Sequence, residues 1–328
     1  MNTISTVAVT GATGFAGRYV VRELLRQGYA VKALARDRGK AKAVLPEKAR
    51  VVMGDVLNQA DVDELLQGCQ ACINLVGIIR EVRAAGKTQT FRGMHVQAPR
   101  LIASRCEALG VTRVVHMSAL GARDTGVSQY QRTKWEGEQS LRLSELDWTI
   151  FRPGLIHGPD GEFVQTAKQW VGGQSAPWIF LPYFTRVVED KRVPLGPVNF
   201  VDPVVQPVAV QDVARAFVAA LATPASVGEI YNLVGSEVLS WPEMLTQMRD
   251  QIPGANPNLR PVGLPGEVGA IGAFAATKLG FGSLLPFDEG MARMGAEDST
   301  ASLDKLKAHF GFTPAPFGEV FSSYASHV

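Results

Sequence analysis

The sequence predicts an α/β protein in which helices cover both faces of a doubly wound parallel sheet, with a smaller lobe attached. Apolar, β-branched runs alternate with segments of helical period over roughly the first half of the chain, and a glycine-rich turn follows the first run. After Asp160 this alternation weakens, and proline and aromatic residues become frequent. Repeated strand–helix alternation is typical of parallel sheets with covering helices.

Length and composition agree with a sheet-based core and a second lobe. The chain has 328 residues, of which 46% are hydrophobic and 20% charged, so it can bury a substantial core. We predict a core of residues 1–157, to which residues 207–234 return, and a lobe built from residues 158–206 and 235–328. The formal net charge of +2 argues against a nucleic-acid-binding protein.

The first turn carries the strongest motif, T-G-A-T-G-F-A-G, between the apolar run Val7–Val9 and a helical segment. Gly11 allows a sharp turn, Gly14 lets a pyrophosphate approach the backbone, and Gly17 lets the helix pack closely on the strand. Free amides at a helix N-terminus favour an anion, so the turn predicts a dinucleotide site. The predicted contacts in this turn are Gly11, Thr13, Gly14, Phe15, Ala16 and Gly17.

The end of the second predicted strand bears on the choice between NAD(H) and NADP(H). A carboxylate there usually binds the ribose 2′-hydroxyl of NAD, but this chain has Ala35 followed by Arg36. A guanidinium suits a 2′-phosphate, so we predict that Arg36 binds it and that NADP(H) is favoured over NAD(H). Asp37, next in the chain, weakens this preference, and a solvated charged turn is the simpler alternative.

Two further segments are predicted to contact the cofactor. Asp55, in Gly54-Asp55-Val56, could accept a hydrogen bond from an adenine amino group, or could cap the helix predicted over residues 60–67. Val76 and Gly77 follow the fourth predicted strand, where a small residue lets the backbone pass beneath a ligand.

A candidate catalytic set follows the fifth predicted strand. Ser118 ends that strand, at the sheet edge where ligands bind, and Tyr130 and Lys134 lie four residues apart on a predicted helix. A lysine charge stabilises a phenolate, so Tyr130 could act as acid–base group with Lys134 lowering its pKa, while Ser118 polarises the substrate. The alternative is a surface helix with a half-buried tyrosine.

Other residues are assigned structural roles. We expect a loop over residues 80–92, a helix over residues 96–109, an N-cap at Asp212 and a structural role for His157. The Cys69–Cys72 pair lacks the partners of a zinc or disulfide site, so no metal is predicted, and a reducing, cytoplasmic location is expected. No apolar run is long enough to span a bilayer; the most apolar window, Val268–Thr277, is bounded by charges.

Several motifs occur together in an informative order: the glycine turn, H-M-S-A-L-G-A, Y-x-x-x-K-W-E-G-E, F-R-P-G-L-I-H-G-P-D and V-A-V-Q-D-V-A-R-A. Over residues 4–245 the chain resembles the short-chain dehydrogenase/reductase superfamily, in its atypical or extended branch of NAD-dependent epimerase/dehydratase type. Within that branch it is most similar to proteins related to the Rossmann-fold accessory subunit of respiratory complex I. The resemblance implies a Rossmann fold, bound NAD(P)(H), an adenine contact for Asp55 and a position near the nicotinamide for Pro153.

Three functions remain open at this point. The first is an NADP-dependent oxidoreductase acting on an apolar molecule, suggested by the aromatic segment Trp178–Phe184. The second is a non-catalytic accessory protein of an electron-transport complex, for which a position peripheral to the inner membrane is expected, and the third is a nucleotide-sensing regulator. Exposed apolar surface at residues 180–184 or 268–281 would favour the last two. The short interval between Ser118 and Tyr130 argues against a nucleotide-sugar epimerase or dehydratase, and members of the superfamily often form dimers.

Overall fold

The computed structural model describes residues 4–84, 87–189, 198–278 and 287–328. The strands, in chain order, are β1 Thr6–Thr10, β2 Ala30–Ala35, β3 Arg50–Met53, β4 Ala71–Asn74, β5 Val82–Ala84, β6 Lys87–Gln89, β7 Arg113–Met117, β8 Asp147–Pro153, β9 Ile156–His157, β10 Leu181–Glu189, β11 Val198–Val201, β12 Val204–Val205, β13 Val208–Ala209, β14 Glu229–Leu233, β15 Leu239–Ser240 and β16 Pro261–Pro265. The α-helices are α1 Phe15–Arg26, α2 Arg38–Val44, α3 Gln59–Leu66, α4 Ala98–Leu109, α5 Gln129–Arg142, α6 Glu162–Val171, α7 Val210–Ala220, α8 Trp241–Gln251, α9 Gly266–Lys278, α10 Glu289–Gly295, α11 Asp304–Phe310 and α12 Phe317–Tyr324.

The central sheet has the strand order β3-β2-β1-β4-β7-β8-β14, and each neighbouring pair in it is parallel. The order reverses direction between β1 and β4, which creates a crevice at the carboxyl edge of the sheet. Apolar clusters fill both faces: one packs beneath α1, α7 and α11, and the other beneath α3, α4 and α5. This arrangement confirms the predicted doubly wound α/β fold.

A third apolar cluster lies among α6, α8 and α12, away from the central sheet. Beside it, β10 pairs with β11 and β16 in a small sheet that leads into α9. The side chains of Val268, Ile271 and Phe274 on α9 are 64%, 66% and 51% exposed. Because Leu306 on α11 and Leu303 just before it pack in the main core, the C-terminal residues contribute to more than one cluster. The division into a core and a lobe at residues 157, 207 and 234 stays a prediction.

Several local predictions were wrong. The segment predicted as a loop at residues 80–92 contains the antiparallel pair β5–β6, and a π-helical segment, Arg92–Gln97, precedes α4. Asp212 does not cap α7, because β13 runs directly into the helix and Ala209 occupies the N-cap position. The Asp212 carboxylate instead accepts a hydrogen bond from the Ala315 amide at 2.8 Å. That partner is 103 residues away in the chain, so local sequence could not reveal it.

Helix α8 begins at a complete capping motif. Ser240 is its N-cap and Glu243 completes a reciprocal capping box, so two backbone amides that a helix leaves unpaired are satisfied by side chains. No helix among residues 4–84, 87–189, 198–278 and 287–328 is long and apolar enough to cross a membrane.

Candidate active site

The glycine turn joins β1 to α1 at the carboxyl edge of the sheet. Gly11 has φ +69°, and a Cβ there would lie 2.8 Å from the carbonyl carbon of Leu75, so a side chain is excluded by both strain and space. A Cβ at Gly17 would lie 2.1 Å from the Gly11 carbonyl oxygen. Glycine at these two positions therefore holds β1, α1 and the end of β4 close together.

The N-terminus of α1 is built to receive an anion. Gly14 is its N-cap, no side chain caps the helix, and its first turn carries no acidic residue. The amides of that turn have no partner within the helix, whereas α5 and α8 satisfy theirs with serine caps. Gly14 is exposed, and Thr13, Phe15 and Ala16 are half-buried around it. These residues fit the pyrophosphate of a dinucleotide by backbone donors and helix dipole.

The Phe15 side chain packs against the turn that follows β9. A Cβ at Gly161 would lie 2.8 Å from the Phe15 ring, so this glycine makes room for the ring. The Arg18 guanidinium forms an ion pair with Asp160 at 2.6 Å, and the Tyr19 hydroxyl donates to the same carboxylate at 3.0 Å. The turn after β9 is thereby fixed to α1, which stabilises the position of the glycine turn.

Arg36 and Asp37 follow β2, and their environments differ. Arg36 is exposed, whereas the Asp37 carboxylate accepts a hydrogen bond from the Lys40 amide at 2.9 Å and caps α2. Asp37 is therefore occupied as an N-cap, in the role that carboxylates commonly fill at helix N-termini. This removes the main sequence argument against a 2′-phosphate contact at Arg36; the preference for NADP(H) stays a prediction.

Asp55 and Val56 follow β3. Asn58, and not Asp55, caps α3, because its side chain accepts from the amides of Ala60 and Asp61. The capping alternative for Asp55 was therefore wrong. One Asp55 carboxylate oxygen accepts from the Leu57 amide at 2.9 Å, and the adenine contact stays a prediction. Val56 is only 7% exposed and packs into the core beneath α3, which leaves its backbone as the part available to a ligand.

Lys134 and Gly77 meet at the end of β4. A Cβ at Gly77 would lie 2.8 Å from the Lys134 ammonium nitrogen, so the absence of a side chain there admits the lysine. The ammonium donates to the Met117 carbonyl at the end of β7, at 3.1 Å. Burial lowers the pKa of Lys134 to about 8, and the Glu138 charge opposes that shift. Before Gly77, the Val76 amide donates to the Asn74 side-chain oxygen at 3.1 Å.

Tyr130 lies one turn before Lys134 on α5, within an aromatic cluster. Its ring meets those of His95 and Phe91 edge-on, with centroid distances of 5.2 and 6.0 Å. Burial raises the pKa of Tyr130 to about 12, so the phenol is protonated at neutral pH. The hydroxyl makes no hydrogen bond to any residue in the described part of the chain. A protonated phenol one turn from a buried ammonium, with no hydrogen-bond partner among the described residues, is suited to proton donation to a ligand.

The structure places His95 in this site, which the sequence did not indicate. His95 lies in the π-helical segment before α4, and π-helical turns occur frequently at functional sites. His95 Nδ1 lies 3.0 Å from the Thr133 hydroxyl. Nε2 lies 3.0 Å from the Ile78 carbonyl oxygen and 3.2 Å from the Ile78 amide nitrogen. His95 thus joins the segment after β4 to the helix that carries Tyr130.

Substitution of Gly137 by alanine tests the close packing of α5 on the π-helical segment that carries His95. A Cβ at Gly137 would lie 1.9 Å from the His95 carbonyl oxygen, so α5 and the π-helical segment must separate. We expect Gly137→Ala to lower the free energy of unfolding by about 1–3 kcal/mol, measured by urea denaturation. Gly272→Ala is the matched control, since its Cβ would meet open space on α9. Equal stability of both variants would contradict this packing.

The Ser118 hydroxyl has a partner within the protein. Ser118 is 2% exposed, and its hydroxyl donates to the Glu138 carboxylate, which also accepts two hydrogen bonds from Arg152 at 2.8 and 2.6 Å. Glu138 lies two helical turns beyond Tyr130 on α5. The structure therefore joins Ser118 to a buried ion pair. Its role in polarising the substrate stays a prediction.

Pro153 and His157 lie at the end of β8 and in β9. The Pro153 carbonyl accepts from the Leu120 amide at 2.8 Å, which fixes the loop after β7. His157 is fully buried and its Nδ1 lies 2.9 Å from the Tyr324 hydroxyl on α12, as expected for a structural histidine. The nicotinamide contact of Pro153 stays a prediction. Within the described ranges, no group of histidine, cysteine and acidic residues could hold a metal ion.

Buried histidines predict a loss of stability in mild acid. His95, His116 and His157 are at most 1% exposed, and burial lowers their pKa values to about 2, 3 and 4; the Lys134 charge adds to the first two shifts. In the unfolded chain they titrate near ~6.5, so acid protonates the unfolded state first. The contribution of these histidines to the free energy of unfolding is therefore at its maximum above pH ~6.5 and falls as the pH drops below that value.

Between pH ~7.5 and ~5.5 we expect the free energy of unfolding to fall by about 1.4 kcal/mol per buried histidine, or about 4 kcal/mol in all. Urea denaturation at the two pH values measures this loss. His157→Asn should reduce the loss by about a third, and the exposed His327→Asn serves as control. A stability independent of pH in this window would contradict the burial of neutral imidazoles.

Comparison with known proteins agrees with this geometry. A family model described as NAD(P)H-binding matches residues 11–175, half of the chain. NADH dehydrogenase [ubiquinone] 1 alpha subcomplex subunit 9 from Dictyostelium discoideum is 28% identical over 247 residues, covering 74% of this chain and 62% of that protein. Ceramide reductase from Caulobacter vibrioides is 32% identical over 153 residues, 47% of either chain. The chain thus spans about half to three fifths of the length of these curated relatives.

The solved structure of UDP-glucose 4-epimerase from Thermotoga maritima aligns with 97% of this chain and 96% of its own, with a TM-score of 0.70 at 17% identity. At that identity the match shows a shared fold. The family match covers the glycine turn, Arg36, the end of β4 and the Tyr130–Lys134 helix. The chain therefore belongs to the NAD(P)H-binding family, within the short-chain dehydrogenase/reductase superfamily that its motifs indicated.

Proposed function

We propose that this protein is an NADP(H)-dependent oxidoreductase that interconverts a carbonyl and a hydroxyl on an apolar small molecule. One observation carries the proposal: the Lys134 ammonium lies at Gly77, at the carboxyl edge of the sheet, with the Tyr130 phenol one turn away on α5. The glycine turn reaches the same edge from β1. A reduced nicotinamide dinucleotide held there would supply hydride.

The chemistry assigned to the chain is proton transfer. As hydride reaches the carbonyl carbon, the Tyr130 hydroxyl donates its proton to the carbonyl oxygen, which yields the alcohol and a phenolate. The Lys134 ammonium stabilises that phenolate, and solvent returns the proton. Because burial raises the pKa of Tyr130 to about 12, the phenol starts protonated, as carbonyl reduction requires.

The apolar character of the substrate is supported by the side chains near Tyr130. Phe91 meets the Tyr130 ring, and α10 approaches the start of α5, where a Cβ at Gly290 would lie 3.2 Å from Ser128. The Arg80 guanidinium reaches Met291 of α10 at 3.4 Å, so the segment after β4 contacts the C-terminal residues beside the site. One relative is named for reduction of ceramide, a lipid.

Turnover with matched ketones tests this function. The purified chain is mixed with NADPH and either a long-chain methyl ketone or acetone, and nicotinamide absorbance is followed. Each buried methylene contributes about 0.8 kcal/mol, so we expect kcat/KM to be at least ~100-fold higher for the long ketone. Equal values would contradict an apolar substrate, and no oxidation of NADPH with any carbonyl would contradict the oxidoreductase proposal.

A second function, an accessory subunit of an electron-transport complex, is favoured by the apolar surface of α9. Ile271 and Phe274 are exposed there, and Trp178 and Ile179 are 61% and 78% exposed; Phe281 lies outside the described residues. One relative is named as a subunit of mitochondrial NADH dehydrogenase. Co-migration of the chain with that complex from its own source, lost in Ile271→Glu, would support this function.

A further inference from the structure

We propose that Gln89 competes with the 2′-phosphate of NADP(H) for Arg36 and thereby reduces the discrimination between NADPH and NADH; this rests on the proposed nucleotide site. The Gln89 side-chain oxygen lies 2.6 and 2.8 Å from the two terminal nitrogens of the Arg36 guanidinium. The opposite amide orientation would place an NH₂ group against two N–H donors, so the oxygen is assigned to this side.

The contact joins two parts of the chain that both border the nucleotide site. Arg36 follows β2, at the edge of the sheet where the glycine turn opens, and Gln89 ends β6 of the hairpin. Gln89 pairs with Val82 in that hairpin, and two residues later the Phe91 amide donates to the Glu81 carboxylate at 2.9 Å. The Gln89 backbone is therefore held by its neighbours, and its side chain is presented to Arg36.

The amide oxygen takes both terminal donors of the guanidinium, as one oxygen of a phosphate would. A guanidinium binds a phosphate by a fork of parallel N–H groups, and ionised acceptors form stronger hydrogen bonds than neutral ones. Arg36 is exposed, so its bond to Gln89 is weakened by solvent. A dianionic 2′-phosphate would displace the neutral amide. Because the Gln89–Arg36 hydrogen bonds must then break, the net free energy of phosphate binding would be smaller.

Among the residues that the structure describes, no acidic side chain forms an ion pair with Arg36. Asp37 is the nearest carboxylate in the chain, and it caps α2 through the Lys40 amide. NADH has a 2′-hydroxyl in place of the phosphate and does not require the Arg36 fork. The competition therefore weakens NADPH binding selectively and leaves NADH binding unchanged. We therefore expect the Kd values for NADPH and NADH to differ less with Gln89 present than they would with Arg36 alone.

Gln89→Ala and Gln89→Glu test the inference in opposite directions. Fluorescence titrations of the full chain give Kd values for NADPH and NADH. We expect Gln89→Ala to tighten NADPH binding about three- to tenfold, because the competing hydrogen bond to a charged group is removed. Gln89→Glu should weaken NADPH binding at least ~tenfold, since a carboxylate pairs with Arg36 more strongly and repels the phosphate. Kd for NADH should change by less than about twofold in both variants.

The Arg36→Ala background supplies the control. Gln89→Ala should have no effect on NADPH binding there, because the residue it competes for is gone. Weaker NADPH binding by Gln89→Ala would overturn the inference and make Gln89 a ligand or a positioning residue. Equal changes for NADPH and NADH would overturn it too. If the wild type bound NADH and NADPH with measurable affinity but Gln89→Ala changed neither, the proposed function would stand and this inference alone would fail.

Discussion

Replacement of Tyr130 by phenylalanine is expected to lower kcat for carbonyl reduction by about 10²–10⁴-fold, the usual contribution of a positioned acid–base group. The substitution removes the proton donor and keeps the ring that meets Phe91 and His95. Nucleotide affinity should therefore change by less than about twofold. Single-turnover oxidation of NADPH with the long-chain ketone measures the rate, and fluorescence titration measures the affinity.

Tyr29→Phe is the matched control for this experiment. Tyr29 is half-buried just before β2 begins, at the opposite edge of the sheet from the glycine turn. The Tyr29→Phe variant loses a phenolic hydroxyl that lies outside the candidate site, so its reduction rate should equal that of the wild type. A Tyr130→Phe protein that retains the wild-type rate would show that another group supplies the proton.

Arg36→Ala is expected to raise Kd for NADPH by about ten- to hundredfold and to leave Kd for NADH within about twofold. Hydrogen bonds to charged groups contribute about 1.5–3 kcal/mol, and each 1.4 kcal/mol corresponds to a factor of ten. The effect on NADPH should shrink as salt is added, because Arg36 is exposed.

Arg50→Ala controls for the loss of one positive charge. Arg50 begins β3 and is exposed at the amino edge of the sheet, away from the glycine turn. Both nucleotides should bind this variant as they bind the wild type. If Arg36→Ala weakened the binding of NADPH and NADH equally, a 2′-phosphate contact would be contradicted. Other residues would then determine the choice of nucleotide.

Much of the fold could be predicted because local patterns determine it. The glycine turn and the apolar runs have sequence signals a few residues long, and the structure confirms them at Thr10–Gly17 and β7. The Tyr130–Lys134 pair could be placed on one helix face by spacing alone. These features depend on the local backbone conformation and on the spacing of apolar residues, and both are determined by residues close together in the sequence.

The features that were missed depend on contacts between distant residues. His95 contacts Ile78 and Thr133, which are 17 and 38 residues away, and no helical or strand period marks the π-helical turn that carries it. Ser118 was predicted to polarise the substrate because strand ends border the ligand site, and the structure adds a hydrogen bond from its hydroxyl to Glu138, 20 residues on. Local sequence could place Ser118 at the sheet edge but could not reveal that contact.

Binding of NADPH at the glycine turn is the central claim, and one titration tests it most directly. Gly14→Val places a side chain at the open N-terminus of α1, where a Cβ would meet only the Gly11 carbonyl oxygen at 3.1 Å, so the fold should survive. We predict that the wild type binds NADPH and that Gly14→Val, with an unchanged circular dichroism spectrum, loses at least ~100-fold in affinity. Equal affinity of the two proteins would show that the nucleotide does not bind at this turn.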